Sequence, residues 1–63
     1  MCLAAVYEVR DGNENLVCEY AAEIAINGDI ITLTDIMGDE LVLTGALKHI
    51  DLVKNTISIL IPA

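Results

Sequence analysis

Tryptophan and phenylalanine are absent from this 63-residue chain, and its two aromatic rings are Tyr7 and Tyr20. A core made without large rings has to be assembled from isoleucine, leucine, valine and alanine, which fill a sequence that is 56% hydrophobic. Basic residues are scarce too: Arg10, Lys48 and Lys54 stand against ten acids, for a net charge of −7. A surface of that sign repels phosphate backbones instead of displacing their counterions, which argues against nucleic acid as a partner. The acids are scattered in sequence and read as solvated strand faces and turns, not as a run of ligands.

Two cysteines, Cys2 and Cys18, are too few for a disulfide scaffold, and no basic segment leads into an apolar one as in a secretory signal. A reducing cytoplasm is the expected setting. Apolar stretches such as Ile59-Leu60-Ile61-Pro62-Ala63 fall far short of the ~20 residues that a membrane-spanning helix requires, so no membrane is expected. No serine or threonine has a histidine partner in sequence, no glycine-rich phosphate loop precedes a helix, and no pair of Cys-x-x-Cys motifs occurs. The chain is expected to be no enzyme.

What is present is a pattern of period two, cut by Gly, Asn and Asp, over a single domain, residues 1–63. It predicts strands over Cys2–Arg10, Leu16–Ile26, Ile30–Ile36, Leu41–Thr44, Ala46–Asp51 and Thr56–Ile61. The second strand is expected to bend at Ala21-Ala22, where two small side chains leave little to pack. Ala46–Asp51 has the length of a single helical turn as well, but fits better as a strand. Pro62 stops the last strand because it has no N–H to donate. Five or six strands this short close most economically as a small antiparallel β-barrel of the SH3/Sm-like or OB-like kind, so the fold expected is all-β. A core this small is completed most simply by pairing with a copy of the same chain, so a homodimer is expected.

The candidate chemistry sits at the amino terminus. In Met1-Cys2-Leu3-Ala4 the thiol lies beside the terminal amine, and sulfur and nitrogen together chelate a metal ion whether or not Met1 is removed. Both groups must lose protons to bind. Sulfur with amine or amide nitrogen suits square-planar Ni(II) or Cu(II) better than it suits Mg or Ca. One thiol per chain is too few ligands, but in a two-fold dimer a second Cys2 completes four-coordination. The alternative is that Cys2 is incidental and the chain is a structural or interaction module.

Other candidates are weaker. A first hairpin turning at Gly12-Asn13 sets Cys18 opposite Tyr7 and Glu23 opposite Cys2, leaving the two sulfurs about 16 Å apart along the sheet. Cys18 then reads as a small buried hydrophobe, and Glu23 as an exposed carboxylate that could come close to the amino terminus. His49 has no second histidine and no cysteine at ligand spacing, so it reads as a strand histidine.

On Met1-Cys2 running into a strand, the overall length, Asp35-Ile36-x-Gly38-x-Glu40, Gly45, and Ile50-Asp51-Leu52 followed by Ile57-Ser58-Ile59-Leu60, the chain resembles the CooT family of small nickel-binding proteins. That resemblance spans essentially the whole chain. It implies a homodimeric β protein that binds Ni(II) through Cys2, as a metallochaperone or nickel store for a nickel enzyme such as carbon monoxide dehydrogenase. HypC-type hydrogenase maturation chaperones also begin with a cysteine, but they place a proline soon after it and carry a later His-x-Gly segment. Here Ala5-Val6 stands at the early position and the later motif is missing.

Overall fold

The computed structural model describes residues 3–62. These form six strands, β1 (Ala4–Arg10), β2 (Asn13–Asn27), β3 (Ile30–Asp35), β4 (Glu40–Thr44), β5 (Ala46–Asp51) and β6 (Thr56–Leu60). All six lie in one sheet in the order β4-β3-β2-β1-β6-β5. The architecture is all-β, and Ala46–Asp51 is a strand. No helix of the described residues is long and apolar enough to cross a membrane.

The expected antiparallel barrel is corrected in two respects. First, β1 and β6 run parallel, with Val6 opposite Ile57 and Val9 opposite Leu60. Second, β4 and β5 end the sheet on opposite sides and do not pair with each other, so the sheet is not closed. They are nevertheless consecutive in the chain, separated by Gly45 alone. A single connecting residue can join opposite edges only if the sheet curls until the edges meet. Gly45 is that meeting point. Its N–H donates to the Asp29 carbonyl at 2.8 Å, and a Cβ there would lie 2.4 Å from the Leu60 carbonyl oxygen and 3.1 Å from Ile61 Cδ1. Only glycine allows so close an approach of backbones.

The first hairpin also turns one residue earlier than expected, which moves the pairings next to the turn by two residues. Asp11 and Gly12 both take positive φ, 49° and 80°, the pattern of a type I′ turn, whose twist matches that of the strands it joins. Arg10 therefore pairs with Asn13 and Tyr7 with Leu16. Two irregularities between Ala4 and Tyr7 then shift the ladder, so that Cys18 lies opposite Val6, not Tyr7, and Ala21 lies opposite Ala4. β2 changes partner where the two alanines predict a bend. Up to Ala21 it pairs with β1, beyond Ala21 with β3, and the register slips between Ala21 and Glu23.

The core is small. Val6, Ala21, Ile31, Leu33, Ile59 and Ile61 are buried together, with Cys18, Ile24, Leu43 and Ile57 packed against them. Each fully buried branched side chain contributes about 1.5–3 kcal/mol. Tyr20, Met37, Leu52 and Val53, by contrast, stay exposed.

Candidate metal centre at the start of the first strand

The strand that follows Cys2 starts in the middle of the sheet, not at an edge, and is held from both sides. On the β6 side, Asn55 clamps it. The Asn55 side-chain amide donates to the Leu3 carbonyl, and the Ala5 N–H donates to the Asn55 carbonyl at 3.1 Å. On the β2 side, Ala4 lies opposite Ala21, and Ala21 lies opposite Asp35 at the end of β3. A terminal segment is ordered when tied into a sheet in this way.

Two loops flank this point. The β3–β4 loop begins at Asp35, whose Oδ1 accepts the N–H groups of Met37 at 2.9 Å and Asp39 at 3.0 Å. It is fixed to β2 because the Ile36 N–H donates to the Tyr20 carbonyl at 3.0 Å. The β5–β6 loop begins at Asp51, whose Oδ1 accepts the N–H groups of Val53 at 3.0 Å and Lys54 at 2.9 Å. The hydrogen bond from the Lys54 N–H does most to hold the Asp51 carboxyl below its ordinary pKa. The Val53 N–H and the nearby positive charge of Lys54 and His49 act in the same sense, while desolvation opposes them. Beside the first loop, hydrogen bonding to the Glu19 carboxylate, and then that carboxylate's charge, push the Tyr20 phenol above its usual pKa.

The sequence-derived candidates are distributed as follows. Cys2 lies outside the described residues, as does its pairing with Glu23. Glu23 itself is exposed and lies opposite Thr34 of β3. Cys18 is a half-buried free thiol packed against the core, in keeping with a small hydrophobe. It also lines a cleft of about 280 Å³ with Val17, Tyr20, Leu33, Met37 and Leu41. His49 is exposed on the edge strand β5, opposite Ser58. None of these three is brought to the start of β1 by a strand pairing. Asn55 is brought there by its bonds to Leu3 and Ala5, and the pattern-based reading treated it as a turn residue only. The signal available was Asn55 itself, since asparagine tolerates the left-handed conformation it adopts here at φ 59°.

Among the described residues, no three His, Cys, Asp or Glu side chains gather closely enough to hold a metal ion. A small curled sheet whose first strand is clamped at Leu3 and Ala5 defines a small all-β domain. The family model for the CO dehydrogenase accessory protein CooT matches residues 1–60, and the chain belongs to this family. A crystal structure assigned to CooT of Carboxydothermus hydrogenoformans has the same fold, with a TM-score of 0.86 and 22% identity over 98% of this chain and 100% of that one. No curated protein matches the sequence.

Proposed function

We propose that the chain carries Ni(II) as cargo, binds it through Cys2 with two chains sharing one ion, and delivers it to a carbon monoxide dehydrogenase. It works in the cytoplasm and catalyses no reaction of its own. The observation that carries this reading is the family match, which begins at residue 1 and so includes Met1-Cys2. The clamp on Leu3 and Ala5 adds support, because it fixes the backbone that follows Cys2 in sequence, and a site built next to an ordered segment loses less entropy on binding. The thiolate and the neutral amine are the binding forms, so nickel uptake releases protons and strengthens as pH rises toward the thiol pKa of about 8.5. A site with one thiol per chain also suits handover, since a partner with more ligands takes the ion by stepwise exchange.

The test is titration of the metal-free protein with Ni(II), followed by sulfur-to-nickel charge-transfer absorption. A band saturating near one ion per two chains is expected for the wild type, for Cys18→Ala and for His49→Ala. Cys2→Ser should lose it, because a hydroxyl is too weakly acidic to replace a thiolate. Absence of any band at neutral pH would leave the chain an interaction module with an incidental cysteine.

A further inference from the structure

The two outer strands of the sheet are guarded unequally. β5 pairs with β6 alone, and its register slips between Leu47 and His49, so Lys48 is an extra residue that bulges a charged edge. Bulges and lysines are devices that keep a further strand from adding to an edge. β4 has neither. It pairs residue for residue with β3 from Glu40 to Thr44, and no strand of the described residues lies on its other side.

The hydrogen bonds at the two ends of that ladder fix which backbone groups are free. The Gly45 N–H donates to the Asp29 carbonyl, and the Asp35 N–H donates to the Asp39 carbonyl. Bonded pairs alternate with non-bonded ones along an antiparallel ladder. Leu41 and Leu43 therefore turn their backbone groups toward β3, whereas Glu40, Val42 and Thr44 turn theirs to the open side. Side chains are uncovered there as well. Leu41 lies opposite Leu33 on the core side of the sheet, yet it is 39% exposed against 1% for Leu33. The strand that would cover it stops at a proline. Continued past Ala46 and Leu60, the β5–β6 register brings Pro62 to Thr44, and both line one cleft. Proline has no N–H with which to go on pairing.

The clefts at the two ends of β4 differ in chemistry. At the Thr44 end, a cleft of about 260 Å³ is walled by Gly45, Ala46, Leu60 and Pro62, with Asp29 the single acid among its lining residues. At the Glu40 end, the cleft of about 280 Å³ takes in Glu19, Asp35, Asp39 and Glu40, and no basic residue lines it. We infer that β4 accepts an extended segment of a partner protein as a further strand, antiparallel to β4, with an aliphatic side chain in the cleft at Gly45 and lysine or arginine against Glu40 and Asp39. Main-chain hydrogen bonds to Glu40, Val42 and Thr44 give such a complex its affinity, and the two end clefts give it specificity. A second copy of β4 is a poor occupant, since it would add another Asp39 and Glu40 to a protein already charged −7. The docking uses none of the residues that hold nickel under the proposed function and stands or falls apart from it.

The probe is the fluorescein-labelled peptide Leu-Thr-Val-Thr-Val-Lys-Arg, titrated with the full chain in EDTA and followed by fluorescence anisotropy. In the inferred register its valines cover Leu43 and Leu41, its second threonine faces Val42 and its lysine faces Glu40. Saturable binding is expected, at least tenfold weaker when Glu-Glu replaces Lys-Arg. N-methylation of the second threonine should abolish it. N-methylation of the second valine, whose N–H points away from β4, should change it less than threefold. Val42→Pro should also abolish binding while keeping the circular dichroism spectrum, because that N–H makes no bond to β3, and Glu40→Lys should weaken it at least fivefold. No binding by the wild type, or equal loss from the two methylations, overturns the inference. So does binding that survives Val42→Pro but fails in Lys48→Glu, which would assign the partner to the β5 edge. Self-association of the chain that Val42→Pro abolishes would make a second copy the occupant and overturn it too.

Discussion

The two loops at the start of β1 are built alike and anchored differently. Asp35-Ile36-Met37-Gly38-Asp39 and Asp51-Leu52-Val53-Lys54-Asn55 each open on an aspartate whose Oδ1 takes two backbone N–H groups. Each then presents two exposed apolar residues and contains one residue at positive φ, Gly38 at 90° or Asn55 at 59°. The local device is the same, an aspartate-capped turn closed by a left-handed residue. The difference lies in that residue. Gly38 has no side chain, and its loop is fixed to β2 through backbone alone, by the Ile36-to-Tyr20 hydrogen bond. Asn55 adopts the strained conformation and also extends an amide to Leu3. One turn therefore only shapes a surface, whereas the other also ties down the residue that follows Cys2.

The largest effect is expected where the frame common to both loops breaks. Gly45→Ala places a methyl group against the Leu60 carbonyl and forces apart the corner at which the sheet edges meet. It should cost about 3 kcal/mol, seen as a fall in Tm on the order of 15 °C, and loosen both loops together. A melt unchanged by this substitution would mean that the curl does not depend on Gly45.

The next effect separates the loops. Asn55→Gly keeps the left-handed backbone but deletes the bond to Leu3, and should cost about 1 kcal/mol, speed hydrogen exchange at the Ala5 amide and weaken nickel binding. Gly38→Asn swaps the same two residue types in the other loop. It should leave both exchange at Ala5 and nickel binding unchanged. Equal responses from the two variants would show that the tether to Leu3 does no more than the turn itself.

The smallest effect is a pH dependence. The Asp51 carboxyl is held below its ordinary pKa, so its contribution is fully present above the unfolded-state value near 4 and is lost as pH falls through the lower folded-state value. Protection of the Val53 and Lys54 amides should accordingly decline on acidification, followed by hydrogen exchange. Asp51→Asn, which keeps an acceptor oxygen but has no charge to lose, should flatten that decline.

Much of the fold was legible in the sequence. The alternation of Ile31 and Leu33 with Thr32 and Thr34 marked β3, Asn27-Gly28-Asp29 marked a hairpin, and Ala21-Ala22 marked the point where β2 changes partner. The first hairpin turned one residue early, and its pairings slipped by two, because Asp11, and not Gly12 alone, takes positive φ. The irregularities between Ala4 and Tyr7 then brought the ladder back to the expected register at Ala4, which lies opposite Ala21. Of the candidate site, the family was legible as a resemblance, while Cys2 lies outside the described residues. The clamp on Leu3 was not legible, because Asn55 lies 52 residues from Leu3 in the chain.

The sequence by itself determined what local chemistry can determine: a period of two and hence strands, turns at Gly, Asn and Asp, an acidic surface, and a thiol beside the terminal amine. Each follows from residues within a few positions of one another. Only the tertiary structure decided that β1 and β6 run parallel, that two free edges meet at Gly45 without pairing, and that two aspartate-capped loops distant in sequence flank the same strand start. Those outcomes come from backbone hydrogen bonds between distant segments. Such bonds use the N–H and C=O groups common to nearly every residue, so their partners are chosen by how the whole sheet curls around its small core and leave no local pattern in the sequence.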